Sequence, residues 1–355
     1  IKRLHFSCCF LLFPLKKLAF LANLPIFCYL PLMKTIQAKL QQLPEAPGIY
    51  LMKDSHGDIL YVGKAKNLKN RVRSYFHHNA QHSKKVLRMV WNIADLDWQI
   101  VDTELDALLL ECQLIQEHHP LYNRMMNSHL NYCYVKLTAT GPVLITDLEP
   151  TDTSEVGGLL ANISEESTLQ TSLLLGPFRQ YKKLPTLIET LQDTFLLPGV
   201  NPLTSLAVQR QLPQMTQRPL SERLYQVNQF FLGNETTVFR ELEARMTASA
   251  EQLNFENAAQ LQQHLEQAQY FYRYVQEHQQ FIAKKRLLWW TPLERDPKQK
   301  KVYYISHGQL LASRVIPLAT PVSFDIAPLS APPQLTKKDV DPQDILISYL
   351  KYHQV

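Results

Sequence analysis

The sequence predicts an α/β protein of the α+β kind, with a small mixed β-sheet flanked by helices near its amino terminus. Two short runs rich in β-forming residues, 48–52 and 59–62, flank the polar segment Asp54–Asp58, which is the pattern of a β-hairpin. Segments with helical periodicity surround and follow this hairpin. The 355 residues are enough for two or three domains, because domains usually hold ~100 to 200 residues.

The elements of the first part have recognisable start and stop signals. Ser83 is an expected N-cap, since a serine before a helix accepts a hydrogen bond from the first turn. Thr103, followed three residues later by Asp106, is typical of a capping box. The expected elements are a helix at 34–43, the two hairpin strands, helices at 67–76 and 83–93, a strand at 97–101 and a helix at 103–117. The helix at 83–93 is expected to face the core with Val86, Leu87, Val90 and Ile93.

The rest of the chain is predicted to form a linking segment, a helical hairpin and a small C-terminal unit, at 131–224, 225–280 and 281–355. Their expected elements are two strands within 131–148, an exposed loop at 157–172, helices at 183–195, 225–234, 241–253 and 255–278, strands at 287–291, 302–305 and 309–316, and a closing helix at 341–353. The expected apolar seam of the helical hairpin consists of Leu242, Met246, Leu253, Leu261 and Leu265.

Residues 1–32 are apolar and imitate a signal sequence. Their uncharged part is shorter than the ~20 residues of a membrane-spanning helix and contains Pro25 and Pro31. We expect a translated upstream extension that is not part of the fold, and no membrane partner; a true anchor or export signal is the alternative. The body of the chain holds only Cys112 and Cys133, which excludes a disulfide framework and fits a reducing cytoplasm.

Positive charge is concentrated in one block of the chain. The net charge is only +5, yet residues 59–94 contain no Asp or Glu, which favours a polyanionic partner. The residues expected to contact the backbone of such a partner are Lys66, Lys69, Arg73, Lys84, Lys85 and Arg88. Each of these alone could equally belong to a solvated face. The histidines of the block, at 77, 78 and 82, are not expected to bind metal, because no Cys or acidic residue lies beside them.

The hairpin and the basic block carry a family pattern. Its parts are Gly48-Ile49-Tyr50, Tyr61-Val62-Gly63, Lys64, Arg71 and Tyr75, and they resemble the GIY-YIG nuclease family. The run 63–68 resembles the UvrC branch, and the likeness continues through 110–111 and 120–123. The resemblance implies a GIY-YIG endonuclease domain at 33–130 with the order ββααβα. Because a complete UvrC protein continues into a second nuclease domain, the chain looks most similar to the single-nuclease relatives called Cho.

The resemblance also implies roles in phosphodiester hydrolysis, which needs a nucleophilic water and a counter-charge for the phosphate oxygens. Glu111 lies on a nearly all-apolar helix and is implied to bind one Mg²⁺ or Mn²⁺, since such an ion accepts one or two carboxylates and keeps its waters. A structural ion pair with a basic residue is the alternative. Asn123 is expected to hold the metal-bearing helix in place.

Tyrosines and cations complete the implied site. Tyr61 is expected to act as the general base with Tyr50 as its positioning partner, although the two roles could be exchanged. Lys64 is expected to lower the pKa of Tyr61. Arg71 is expected to hold the scissile phosphate, and Tyr75, one helical turn along, to bind the same phosphate.

The helical hairpin resembles the UVR motif, a helix pair that binds a like hairpin on UvrB. Gln262-Gln263 stands where an Arg-Asp pair is usual, which leaves binding through charge open. The implied UvrB contacts are Leu253, Phe255, Glu256, Ala258 and Ala259. The family carries iron–sulfur cysteines in the preceding stretch, but 196–224 contains none, so no cluster is expected.

Together these features predict a cytoplasmic, metal-dependent DNA endonuclease. The resemblance implies that it makes the 3′-side incision near bulky lesions in nucleotide excision repair, on damaged double-stranded DNA loaded by UvrA and UvrB. The first alternative is a non-catalytic adaptor that binds UvrB and DNA. The second is a GIY-YIG nuclease that acts on branched or mobile-element DNA. No small-molecule substrate is expected.

Overall fold

The computed structural model describes residues 29–77, 82–146 and 173–353. Ten α-helices and three three-stranded sheets occur in these ranges, which confirms the predicted fold class. Helix α1 (Tyr29–Gln42) begins before the expected residue 34, so the boundary drawn at residue 32 falls inside it. Pro31 is tolerated there because the N–H groups of a first helical turn have no intrahelical acceptor. The predicted loop at 157–172 lies outside the described residues.

The first sheet is antiparallel throughout, so the expected mixed sheet is wrong. Strand β1 (Gly48–Lys53) lies in the centre between β2 (Ile59–Ala65) and β3 (Asp95–Ile100) and runs antiparallel to both. The outer strands therefore share one direction but are separated by β1. Gly48 is required for this packing, because a Cβ atom there would lie 2.3 Å from the Gln99 carbonyl oxygen.

The helices of this part begin at the expected caps. The Ser83 hydroxyl accepts from Val86 at the start of α3 (Lys84–Asn92), and the Thr103–Asp106 capping box starts α4 (Glu104–His118). Helix α2 (Leu68–Phe76) lies between the hairpin and α3. The inward face predicted for α3 is wrong at one position. Leu87 is 48% exposed, because the buried stripe of this helix is centred on Met89 and Ile93 instead.

The middle of the chain combines a second antiparallel sheet with five helices. The two strands expected within 131–148 are confirmed, but β6 and α6 were not predicted. The sheet has the order β5-β4-β6, with β4 (Cys133–Thr138), β5 (Gly141–Ile145) and β6 (Leu173–Phe178). The helices are α5 (Leu184–Thr194), α6 (Pro202–Gln211), α7 (Leu220–Phe231), α8 (Thr237–Glu251) and α9 (Phe255–Ile282).

Helices α8 and α9 form the expected hairpin, and they share one hydrophobic core with the segment before it. This core contains Phe178 from β6, Phe195 after α5, and Phe230 and Phe271 from the later helices. Leu242, Leu261 and Leu265 are buried in the seam as predicted, whereas Leu253 is 75% exposed. The reason is that Leu253 lies in the turn between the helices with a φ of 60°, so its side chain leaves the seam.

The C-terminal unit is a third antiparallel sheet and a helix, as expected. Strands β7 (Leu287–Pro292), β8 (Gln299–Ser306) and β9 (Gln309–Pro317) pair in order, and α10 (Val340–Tyr352) follows. This unit packs against the beginning of α4. Leu105 shares a core with Trp289 and Tyr303, and Lys301 pairs with Asp102 at 2.7 Å. Within the described ranges, no helix is both long and apolar enough to cross a membrane.

Replacing Phe230 by alanine tests the shared core. Phe230 is fully buried against Phe231 and Phe271, so Phe230→Ala should lower the free energy of unfolding by about 3–5 kcal/mol. The control is Phe255→Ala, where the ring is 65% exposed and the change should stay within about 0.5 kcal/mol. Urea unfolding followed by circular dichroism measures both values. Equal losses in the two variants would contradict the assigned packing.

Candidate functional site

A pocket opens where the β1–β2 hairpin, α2 and α4 meet. Its volume is about 420 Å³, and the residues that line it are Tyr50, Tyr61, Lys64, Ala65, Lys66, Arg71, Glu104 and Glu111. Five of the residues singled out as catalytic from the sequence therefore face one space. Of the other two, Tyr75 lies directly behind the pocket and Asn123 lies beside β2.

Three tyrosines form a cluster at one wall of the pocket. Their ring centroids lie 6.0 Å (Tyr50 to Tyr61), 6.1 Å (Tyr50 to Tyr75) and 6.4 Å (Tyr61 to Tyr75) apart. The hydroxyl oxygens of Tyr50 and Tyr75 are hydrogen-bonded at 3.0 Å. Gly63 makes the cluster possible, since a Cβ atom at this position would lie 2.5 Å from the Tyr50 hydroxyl oxygen and 2.7 Å from the Tyr61 ring.

Burial keeps the phenols of Tyr50 and Tyr61 protonated. It raises the pKa of Tyr61 well above its usual value, and the nearby Tyr75 and Glu111 act in the same direction, against the positive charge of Arg71. The pKa of Tyr50 is raised for the same main reason. The expectation that Lys64 lowers the Tyr61 pKa is wrong for this structure. The Lys64 ammonium donates to Glu104 at 2.8 Å instead.

Arg71 provides the positive charge on the side of α2. Its guanidinium carbon lies 5.1 Å from the centroid of the Tyr75 ring, one helical turn away. This cation–π contact holds the guanidinium group against the tyrosine cluster. The guanidinium group itself is exposed to the pocket, where its planar fork can bind two oxygens of a phosphate.

Glu111 presents a half-buried carboxylate to the same pocket. Burial raises its pKa, and Lys64 and Arg71 oppose the shift. Among the described residues, none forms an ion pair with Glu111 within 4.0 Å, and no cluster of three His, Cys, Asp or Glu side chains occurs. A single carboxylate in an open, hydrated pocket fits Mg²⁺, which retains several waters and needs only one or two protein ligands.

Glu104 is a site residue that the sequence reading missed. Its two carboxylate oxygens accept from Lys64 at 2.8 Å and from Lys66 at 3.0 Å. Glu104 could have been found from the sequence, because Glu104 and Glu111 are seven residues apart on α4 and thus lie on one helix face. The partner lysines could not be predicted, since their pairing depends on how α4 docks on β2.

Asn123 lies five residues after the end of α4 and bonds to β2. Its side-chain oxygen accepts from the Val62 N–H at 3.0 Å, and its side-chain nitrogen donates to the Val62 carbonyl at 2.8 Å. The amide therefore pairs with the open edge of β2 like a further strand. It joins the segment that follows α4 to the strand that carries Tyr61, and the expected role in holding α4 stays a prediction.

The six basic residues expected to contact DNA fall into two groups. Four have intramolecular partners, namely Lys66 with Glu104, Lys69 with Glu45, Arg73 with the Leu40 carbonyl and Lys85 with the Tyr122 carbonyl. Lys84 and Arg88 are exposed and have no ion pair with any residue in the described ranges. His82 stacks on Tyr75 at 6.5 Å, His77 is exposed, and His78 lies outside the described residues.

All residues that line the pocket lie within 46–124, and this range matches the family model described as the UvrC-like GIY-YIG domain. Residues 46–124 are thus similar to UvrC-like GIY-YIG domains. The expected strand and helix order of this domain is confirmed by β1, β2, α2, α3, β3 and α4.

Curated relatives extend the likeness beyond this domain. The UvrABC system protein C of Moorella thermoacetica is 36% identical over 242 residues, which cover 66% of this chain. The protein of the same name from Caldanaerobacter subterraneus is 50% identical over 103 residues, or 29% of this chain. The chain spans only 38% of the Moorella protein and 17% of the Caldanaerobacter protein in these matches.

A solved structure covers the same part of the chain. It is the GIY-YIG N-terminal endonuclease domain of UvrC from Thermotoga maritima, bound to its catalytic divalent cation, magnesium. It is 40% identical to this chain and is matched over 94% of its own length and 25% of this one, with a TM-score of 0.23.

Magnesium should stabilise the wild-type protein through Glu111. At a magnesium concentration 100 times the dissociation constant, binding to the folded state adds about 2.7 kcal/mol. Glu111→Gln should abolish this stabilisation. Differential scanning fluorimetry over a magnesium titration measures the effect, and an equal rise of the melting temperature in both proteins would exclude Glu111 as the ligand.

The same variant tests the raised pKa. A carboxyl group whose pKa is higher in the folded protein than in the unfolded chain stabilises the folded state, and its full contribution is present below the pKa of the unfolded chain. This contribution is lost as the pH rises through the pKa of the folded protein. Without metal, Glu111→Gln should therefore melt at a higher temperature than wild type at pH 7, and the gap should narrow as the pH falls toward 4.5, the ordinary glutamate value. A lower melting temperature at pH 7 would mean that the carboxylate has a stabilising partner.

A double-mutant cycle tests the Tyr50–Tyr75 hydrogen bond. Tyr50→Phe and Tyr75→Phe should each lower the free energy of unfolding by about 1–3 kcal/mol, because each leaves a buried hydroxyl without its partner. The double variant should lose less than the sum, with a coupling of at least about 0.5 kcal/mol. Additive losses in urea unfolding would show that the two hydroxyls do not interact.

Proposed function

We propose that this protein is a metal-dependent DNA endonuclease that makes the 3′-side incision near bulky lesions in nucleotide excision repair, together with UvrA and UvrB. One observation carries the proposal: the Glu111 carboxylate, the Tyr50 and Tyr61 phenols and the Arg71 guanidinium face a single open pocket. The names of the curated relatives support the repair context.

In the proposed reaction, Glu111 holds one Mg²⁺ or Mn²⁺ ion. When bound, the ion supplies positive charge for the phosphate oxygens and activates water. Arg71 binds the scissile phosphate and stabilises the negative charge that develops on it. Tyr61 would orient the attacking water through its protonated hydroxyl. It could take a proton from that water only as the phenolate, which requires its raised pKa to fall when metal and DNA are bound. Tyr50 and Tyr75 fix the position of Tyr61 through the ring cluster.

Lys64 contributes a positive charge at a fixed position. Glu104 holds its ammonium group at the wall of the pocket, where the positive charge favours an incoming phosphate. Lys66 shares this carboxylate, whereas Lys84 and Arg88 offer unpaired charge to the DNA backbone. Contacts of this kind position DNA without reading its sequence.

The remaining parts of the proposal concern organisation and partners. A relationship to the Cho branch is proposed, with domains at 33–130, 131–224, 225–280 and 281–355, no iron–sulfur cluster, and a cytoplasmic location. UvrB is proposed to dock at the tip of the α8–α9 hairpin. Leu253 and Phe255 support this placement, because both are large apolar side chains that remain 75% and 65% exposed. Glu256 and Ala259 are exposed beside them, and Ala258 is half-buried.

An incision assay on an end-labelled lesion duplex, with and without UvrA and UvrB, tests the function. Wild-type protein with magnesium should cut on the 3′ side of the lesion only when both partners are present. Glu111→Gln should reduce the rate at least about 100-fold, as expected for the loss of a group that stabilises transition-state charge. The matched control is Glu117→Gln, on an exposed position of the same helix, which should cut at the wild-type rate.

Each other outcome contradicts a defined part of the proposal. Persistent incision by Glu111→Gln would exclude the metal role. Binding to UvrB-loaded DNA without incision by wild type would favour the adaptor. Incision of undamaged or branched DNA without UvrB would favour a nuclease with a different duty.

A further inference from the structure

The outward face of α3 carries a mixed stripe of cationic and apolar side chains. Lys84, Leu87, Arg88 and Trp91 have the spacing i, i+3, i+4, i+7, which places them on one side of a helix. All four are exposed, including 48% of Leu87 and 46% of Trp91. The opposite side of the helix is buried through Met89. We call these four residues the α3 stripe.

The charge of the stripe favours a polyanion. Residues 59–94 contain no Asp or Glu, so the helix and the segments before it have no carboxylate of their own. Lys84 and Arg88 have no ion pair within the described parts of the chain, whereas Lys66 and Lys69 are held by glutamates. The two cations of the stripe are thus the ones whose charge is available to a partner.

The stripe begins next to the pocket. His82, two residues before α3, stacks on Tyr75 with nearly parallel rings, and Tyr75 is hydrogen-bonded to Tyr50. In the first turn of α3, Lys85 also donates to the carbonyl of Tyr122, the residue before Asn123. From this point α3 extends for about 13 Å at ~1.5 Å per residue. A DNA strand with one phosphate in the pocket can therefore continue along the stripe.

The apolar members of the stripe indicate what kind of DNA it contacts. Phosphates need only cations, so an exposed leucine between the two cations and an exposed indole just beyond them suggest contact with a base. Aromatic side chains stack on bases that are free of their duplex neighbours, and such stacking does not depend on base identity. Bases inside an intact duplex have no free face for this contact.

We propose that the α3 stripe binds DNA beside the pocket, with Lys84 and Arg88 on the backbone and Trp91 stacked on an unpaired base. This proposal rests on the proposed nuclease function and adds a substrate preference to it: locally opened DNA is bound more tightly than intact duplex. Leu87 packs beside the same base and excludes water from the contact.

Equilibrium binding of the full chain in EDTA, where no cutting occurs, tests the stripe. The two probes are a labelled duplex and the same duplex with a central unpaired bubble. Trp91→Ala should weaken bubble binding about 10-fold, within the range for loss of one stacked base, and leave duplex binding nearly unchanged. Trp91→Phe should retain most of the bubble affinity, because phenylalanine also stacks.

A second part of the binding experiment tests the two positive charges of the stripe, with Lys84→Gln combined with Arg88→Gln. This variant should weaken binding to both probes and reduce the slope of log affinity against log salt by about two. The matched controls are Trp290→Ala, whose indole is 47% exposed on β7, and Arg210→Gln combined with Arg273→Gln, two exposed arginines on α6 and α9. These controls should bind both probes like wild type.

Unchanged bubble binding by Trp91→Ala, or an equal loss in Trp290→Ala, would overturn the proposal. Normal DNA binding by all stripe variants, combined with lost binding to UvrB, would show that a protein occupies the stripe and would overturn it as well. Failure of the nuclease function itself gives a different result: the wild-type protein would prefer the bubble in EDTA yet cut no DNA in magnesium.

Discussion

The site depends on one carboxylate that is held at the edge of an apolar helix without a cationic partner among the described residues. Burial of Glu111 raises its pKa, so the ionised form costs free energy until a positive charge approaches. A group kept in this state is poised to bind a cation. The rest of the domain keeps this carboxylate facing the pocket, and Glu104 holds the two nearby lysines in ion pairs of their own.

Glu104 and the C-terminal unit both support the arrangement around Glu111. Glu104 accepts from both Lys64 and Lys66, so neither ammonium forms an ion pair with Glu111, although the charge of Lys64 still lowers the Glu111 pKa. Helix α4 is fixed along its length by contacts from outside residues 46–124. Tyr303 donates to Asp106 at 3.2 Å near the start of the helix, and Gln116 donates to Asp341 at 3.1 Å near its end. A site needs this kind of support, because its ligands must be held within fractions of an ångström.

Local features of this protein could be predicted from the sequence, and long-range pairings could not. The hairpin, the Ser83 cap and the Thr103–Asp106 capping box are encoded within a few residues, and all three were predicted correctly. The pairing of Lys64 with Glu104 and of Asn123 with Val62 joins segments 40 and 61 residues apart. No local pattern specifies such contacts. Leu87 was misplaced because several alternative apolar stripes fit a nine-residue helix, and only the tertiary packing selects the one through Met89.

The most direct test of the account is anomalous diffraction from crystals of the full chain soaked in manganese chloride. The account predicts one strong manganese peak in the pocket, at direct-ligand distance from the Glu111 carboxylate and between Arg71 and the tyrosine cluster. A pocket without a peak, with the Glu111 carboxylate turned to a lysine or arginine, would contradict it.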